Sequence, residues 1–380
     1  MPSFGGAAGP GARSWPATGR GTGYEGRRVG STGTGSATGA YGADAHSTRR
    51  NVSDGTGMIL LGACAGWSLI TAAAHDGRPE GMLLAVLAVA AGYAAGRVSG
   101  ALLPVAAPCA GAVAGLALAV TLPEFSPAPW YAAPLGHAGA TAALLALATG
   151  AACCAAWATA VPALRLALRA LACAVVAAGA VLGSTAGCVA SAAVLLCSLA
   201  AGSARSRGAW LVGTAMAAGL VAAAIWAVAG DALPGGLDGA LESRFSAHRI
   251  GLWRDALWLA DRNSGLGIGP GRFGDLTPGA PRTLLSDGKP HSAPLQQAAE
   301  QGLVGVFLLL AVFCWVLHAL WRAPRPTPVA LTAGAALTAL AVLATVSNAL
   351  SFTTVTSGAA LLAGWATARP WAGETATPRP

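Results

Sequence analysis

From Gly57 onward the chain is a succession of apolar runs separated by short polar breaks, interrupted once, between Asp231 and Gln301, by a long polar stretch. The runs are roughly 16 to 24 residues long, about what a helix needs to cross a bilayer. They predict ten spans, near 57–74, 81–97, 101–121, 136–160, 166–183, 185–202, 209–230, 302–321, 328–347 and 350–368. The expected fold is all-α, a polytopic integral membrane protein of about ten transmembrane helices with a large loop between spans seven and eight. Several runs are rich in Gly and Ala, which lets helix backbones approach closely in lipid.

Inside the long stretch the pattern takes a helical period between Ala247 and Arg262. Ile250, Leu252, Trp253, Ala256, Leu257, Leu259 and Ala260 fall on one half of such a helix, and Arg254, Asp255, Asp261 and Arg262 on the other. This predicts an amphipathic helix lying in the membrane interface. Arg249 breaks the pattern by pointing into the apolar half, where a guanidinium needs an anion or a set of acceptors, unless its side chain snorkels to water.

Four glycines at alternate positions follow, Gly265, Gly267, Gly269 and Gly271. Their spacing fits neither a dinucleotide fingerprint nor a phosphate loop, and reads more simply as a tight turn back toward the membrane. Next comes His291-Ser292-Ala293-Pro294 ahead of a long apolar run. Ser292 is placed to cap a helix and Pro294 to open it, so His291 is expected just outside a helix N-terminus. The positive end of the helix dipole there disfavours an imidazolium and attracts anions, and a neutral imidazole beside a bound phosphate is equipped to act as a general base.

Composition agrees with the span pattern: 54% of residues are hydrophobic and only 10% charged, with a mean hydropathy of +0.59. Residues 1–56 differ, being rich in Gly, Ser, Thr and Ala with six arginines and no apolar period, and are expected to be a disordered cytoplasmic tail. With that tail inside, the cytoplasmic segments hold fifteen of the 23 basic residues and the short external loops only Arg78; the other seven lie in the long loop. This bias predicts that both termini, including the tail 369–380, are cytoplasmic and that the loop 231–301 is external. Most of the net charge of +8 is this topological signature, since the loop balances its seven cations with eight acids, so nucleic-acid binding is not implied.

All eight cysteines fall inside predicted spans and read as small apolar residues. No metal-ligand spacing, Asp-x-Asp sequence or Gly-x-Ser-x-Gly elbow occurs, and no cofactor or metal is expected. The span interiors hold no Asp, Glu, Lys or Arg, unlike those of ion-coupled transporters, so chemistry is expected at the external face.

Between about 244 and 306 the chain resembles the O-antigen ligase and polymerase family. The residues that carry the resemblance are Arg249-x-x-x-Trp253, then Gly265-Leu-Gly267-Ile-Gly269-Pro-Gly271-Arg-Phe273, then His291-Ser-x-x-Leu295-Gln296-x-x-x-Glu300-x-Gly302-Leu-x-Gly305. The resemblance implies a membrane glycosyltransferase that moves a glycan from a polyprenyl-pyrophosphate donor to an acceptor hydroxyl on the external side of the membrane, without a metal. The acceptor would be a glycan, a lipid or a wall polymer. Arg249 would contact the pyrophosphate and His291 would take the acceptor proton. The glycine turn, with Gly269 and Gly271, would sit over the lipid headgroup. Gln296 and Glu300 would hold the loop or the imidazole, and Arg244, Arg272 or Arg282 would supply a second cation.

Two positions depart from the family pattern. Where the family carries Ser-Arg-Gly before the loop, this chain has Ser184-Thr185-Ala186-Gly187, while Ser206-Arg207-Gly208 falls on the side expected to be cytoplasmic. Where the family carries an asparagine, Gly139 stands, with His137 nearby. Two other readings therefore stand beside the transferase: a lipid-linked glycan flippase, and a catalytically silent scaffold for glycan assembly.

Overall fold

The computed structural model describes residues 37–121, 134–232, 247–276 and 289–369, with side chains described from Asp54. The chain divides into two units, Met1–Arg50 and Asn51–Pro380, and apart from the start of the first helix all that follows concerns the second. Arg244, Arg282, most of the tail expected to be disordered and the side chain of His137 lie outside the described residues.

The described residues are mostly helical, joined by turns, with no strand among them. In chain order they form α1 (Ala37–His75), α2 (Glu80–Leu102), α3 (Ala106–Thr121), α4 (Pro134–Ala158), α5 (Pro162–Val181), α6 (Thr185–Ala201) and α7 (Arg207–Ala229). Within and after the long loop come α8 (Ala247–Arg262), the single turn α9 (Phe273–Leu276), α10 (Ala293–Trp321), α11 (Thr327–Val346), a 3-10 turn (Ala349–Ser351) and α12 (Thr353–Thr367).

Seven of these are long and apolar enough to cross a membrane, counting α1 from Asp54. The ten-span reading also includes α3, α6 and α12, which have only 16, 17 and 15 residues. At 1.5 Å per residue such helices rise about 23–26 Å, less than the ~30 Å hydrocarbon core. The third run is shortened from its start. α2 continues past Arg97, whose guanidinium pairs with Asp54 at 2.5 Å, and the break falls at Leu103-Pro104, where the proline ring disfavours helix in the preceding residue. α1, by contrast, begins at Ala37, ahead of the predicted start at Gly57.

α4 and α11 form the buried centre. α4 packs against α3, α5, α6, α11 and α12, and its alanines from Ala140 to Ala156 are almost without exposure. A helix apolar all round must be enclosed on all sides, and small side chains let its neighbours come close. At Gly150 an added Cβ would lie 2.5 Å from the Ala336 Cβ of α11. α2 meets α12 in the same way, with Gly96 so close that a Cβ would lie 2.3 Å from the Leu361 carbonyl oxygen.

One end of the bundle is tied by arginines. Arg207, at the start of α7, donates to the carbonyls of Ala323 (2.8 Å) and Arg325 (2.7 Å) in the α10–α11 turn. Arg325 in turn donates to the carbonyls of Ala368 and Gly100. The long loop builds the opposite end of α7, where Ile225, Val228 and Ala229 form one apolar cluster with α8, Ile268, Phe273, Leu295 and Ala299. This corrects the expectation that α8 lies with its apolar face in lipid. Its periodicity is as predicted, but Ile250, Leu252, Trp253, Ala256 and Leu259 are buried against protein. A hydrophobic stripe specifies burial, and packing decides what covers it.

Candidate functional site

The eighth predicted run does begin at a boundary at Gly302, yet the helix starts earlier, at Ala293. Gly302 has φ 68° and ψ −167° and breaks α10 into Ala293–Gln301, inside the loop, and the apolar segment that follows. That conformation is essentially open only to glycine.

Breaking a helix orphans backbone groups, and here the glycine turn takes them up. The N–H of Ile268 donates to the Ala299 carbonyl (2.9 Å) and that of Gly269 to the Glu300 carbonyl (3.0 Å). The Trp67 indole of α1 donates to the Gln301 carbonyl at 3.0 Å, and Leu303 N–H donates to Ser264 at 3.0 Å. Buried backbone polar groups require such partners, so the break and the turn specify each other. The approach leaves no room for side chains: a Cβ on Gly267 would lie 2.4 Å from the Glu300 carbonyl, and one on Gly302 would lie 2.4 Å from the Gly265 oxygen. Gly267, Gly269 and Gly271 have φ of 69°, 93° and 74°, which accounts for three of the four alternate glycines. The far side of the turn rests on the α1–α2 connection, where Arg78 N–H donates to the Pro270 carbonyl at 2.8 Å and Arg272 donates to the His75 carbonyl.

The two motifs expected to carry chemistry meet beside this clamp. Trp253, fully buried on α8, donates its indole N–H to the Pro290 carbonyl at 2.8 Å. The residue after Pro290 is His291, half-buried with a left-handed φ of 49°. A non-glycine residue in that region is held there by its surroundings, and such strain gathers at functional positions. Ser292 does occupy the N-cap position of α10, but its side chain makes no capping hydrogen bond and its buried hydroxyl has no hydrogen-bond partner among the described residues. One turn before Trp253, Arg249 is half-buried and donates to the Val346 carbonyl at 3.4 Å, at the end of α11. Burial draws its pKa below the ordinary arginine value, and the group stays cationic because that value is so high.

Other expected site residues are engaged with the protein. Gln296 donates to the Glu300 carboxylate at 3.1 Å, which also receives the Gly271 N–H and faces Lys289. Gly269 is buried, leaving Gly271 the exposed glycine of the pair. The departures have physical counterparts. Ser184 caps α6, accepting from Gly187 N–H at 3.2 Å, with Thr185 exposed beside it. Gly139 is backed by Ser347, whose Cβ would lie 2.6 Å from an added Cβ, so no asparagine-like side chain fits there. Arg207 is spent on carbonyls at the far end of α7, about 33 Å along the helix at 1.5 Å per residue.

Asn348 was not singled out from sequence. It follows α11 two residues beyond Val346 and is buried, its amide oxygen without a hydrogen-bond partner among the described residues. A lone Asn in an apolar Ser-Asn-Ala-Leu context is its only sequence signal.

Trp253→Phe tests the link between the motifs. It keeps the ring and leaves the buried Pro290 carbonyl unpaired, so thermal unfolding in detergent should show a loss of about 1–3 kcal/mol. Unchanged stability would mean that the indole does not anchor the His291 segment. The chain matches no protein-family model, no curated protein and no solved structure.

Proposed function

We propose that this protein is a membrane glycosyltransferase of the O-antigen ligase or polymerase type. It moves a glycan from a polyprenyl-pyrophosphate donor to an acceptor hydroxyl at the external face of the cell membrane, during assembly of a surface polysaccharide. The observation that carries the reading is the Trp253–Pro290 hydrogen bond, which ties the Arg249 helix to the His291 segment although the two are far apart in sequence. In this reading the acceptor oxygen attacks the anomeric carbon as the bond from that carbon to the phosphate oxygen breaks. The polyprenyl pyrophosphate leaves with the bonding electron pair, its charge held by Arg249, and the acceptor proton passes to the His291 imidazole.

The test is glycan transfer by purified protein in nanodiscs, with a polyprenyl-pyrophosphate glycan donor and no divalent metal. Arg249→Ala should lower turnover by about 10²–10³-fold, the usual scale for removing one contact to transition-state charge. Transfer that continues at the wild-type rate in this variant would remove Arg249 from the donor site. A second reading, the silent scaffold, is favoured by the lack of side-chain room at Gly139 and by Thr185 in place of an arginine. Wild-type protein inactive across donors and acceptors, with activity appearing in Thr185→Arg, would select it.

A further inference from the structure

The end of α7, α8, Ser264 and Leu303 line a groove of ≈620 Å³. None of its residues takes part in the transfer chemistry above. Trp226, from the last turn of α7, and Leu303, from just beyond the Gly302 break, contribute apolar surface to it. Asp231, Arg254, Trp258 and Asp261 contribute its polar groups and an indole. Arg254 and Asp231 pair at 3.1 Å across the α7–α8 connection, and Arg262 stacks on the Trp258 ring at 4.1 Å, fixing the orientation of an indole that is 49% exposed.

Tryptophans at a membrane boundary are commonly explained by the headgroup belt. A belt does not call for carboxylates in the same groove. An acyl chain gains nothing from Asp231 and Asp261, and a phosphate headgroup would meet two carboxylates against one lining guanidinium. A pyranose answers all of these groups. Its C–H face lies flat on an indole, its hydroxyls donate to carboxylates, and its oxygens accept from a guanidinium. The groove also adjoins the site, because Ser264 and Leu303, joined by a 3.0 Å backbone bond, form both its wall and the back of the glycine clamp.

We propose that this groove binds a neutral glycan chain, that of the acceptor, with Trp258 as its stacking platform and Asp261 as a hydroxyl acceptor. The identity of the glycan as acceptor rests on the transferase reading; the binding itself does not require turnover. The test is saturation-transfer NMR on the full chain in nanodiscs without donor, using four neutral tetrasaccharides as probes, of glucose, mannose, galactose and N-acetylglucosamine. At least one should bind wild type, and Trp258→Ala should weaken it about ten-fold or more. Asp261→Asn should weaken it less, and Trp321→Ala, an exposed tryptophan at the arginine-tied end, should bind as wild type. Both Trp258 and Asp261 are surface residues, so these variants should fold. No binding by any of the four, or equal binding by wild type and Trp258→Ala, overturns the proposal. Binding without transfer in the donor assay would keep the groove and remove the transferase; transfer with full acceptor affinity in Trp258→Ala would do the reverse.

Discussion

His291→Asn should abolish glycan transfer on the transferase reading, while the protein inserts and folds as wild type. Asparagine is the informative replacement, because the left-handed φ of 49° at this position is one that Asn tolerates better than most residues. The variant therefore removes the imidazole without adding backbone strain, whereas His291→Ala would leave a residue less suited to that φ and mix two effects. A lost general base costs about 10²–10⁴-fold in rate, and the measurement is donor turnover beside thermal unfolding of the same preparation. If turnover survives at the wild-type level, His291 is not the base and its strained backbone has another cause. If stability falls sharply instead, the imidazole is a packing element.

Gly302→Ala should be strongly destabilising for a single added methyl. The added carbon would sit 2.4 Å from the Gly265 carbonyl oxygen, on a backbone with φ 68° and ψ −167°. Strain at such a backbone and overpacking each cost about 1–3 kcal/mol, so a loss of at least ~2 kcal/mol is expected. A comparison is built into the chain. Gly213, in the second turn of α7, has open space where a Cβ would go, and Gly213→Ala should be neutral or stabilising by about 0.4–1 kcal/mol. Equal unfolding temperatures for the two variants would mean that the break in α10 relaxes into a continuous helix at little cost. The turn would then lose the carbonyls of Ala299 and Glu300 that hold Ile268 and Gly269.

Much of the fold is legible in the sequence because burial in lipid or protein imposes a simple rule on composition. A run without charge, long enough to span and bounded by arginines or prolines, has few alternatives to a helix. The same rule does not say which runs lie at the centre. α4 and α5 are both apolar and adjacent in sequence, yet α4 is almost wholly enclosed and α5 largely faces outward. Small residues on all sides of α4 were the available hint, and the partners that exploit them come from as far away as α11 and α12. The helix at α8 shows the same division. Its stripe was readable from Ile250 to Ala260, but a stripe carries no label for lipid or protein.

The candidate site divides in a similar way. Sequence order alone sets out Arg249, Trp253, the alternate glycines and His291, together with the expectation that a guanidinium on an apolar face needs acceptors. Sequence also places the start of the eighth apolar run at Gly302. Only the tertiary structure decides that the glycines serve that break, that Trp253 reaches Pro290, and that Gly139 has no room for a side chain because Ser347 stands there. The reason is physical. Helical periodicity and charge placement are properties of neighbours along the chain, whereas hydrogen bonds to orphaned carbonyls and close approaches at glycine depend on segments brought together from distant parts of it.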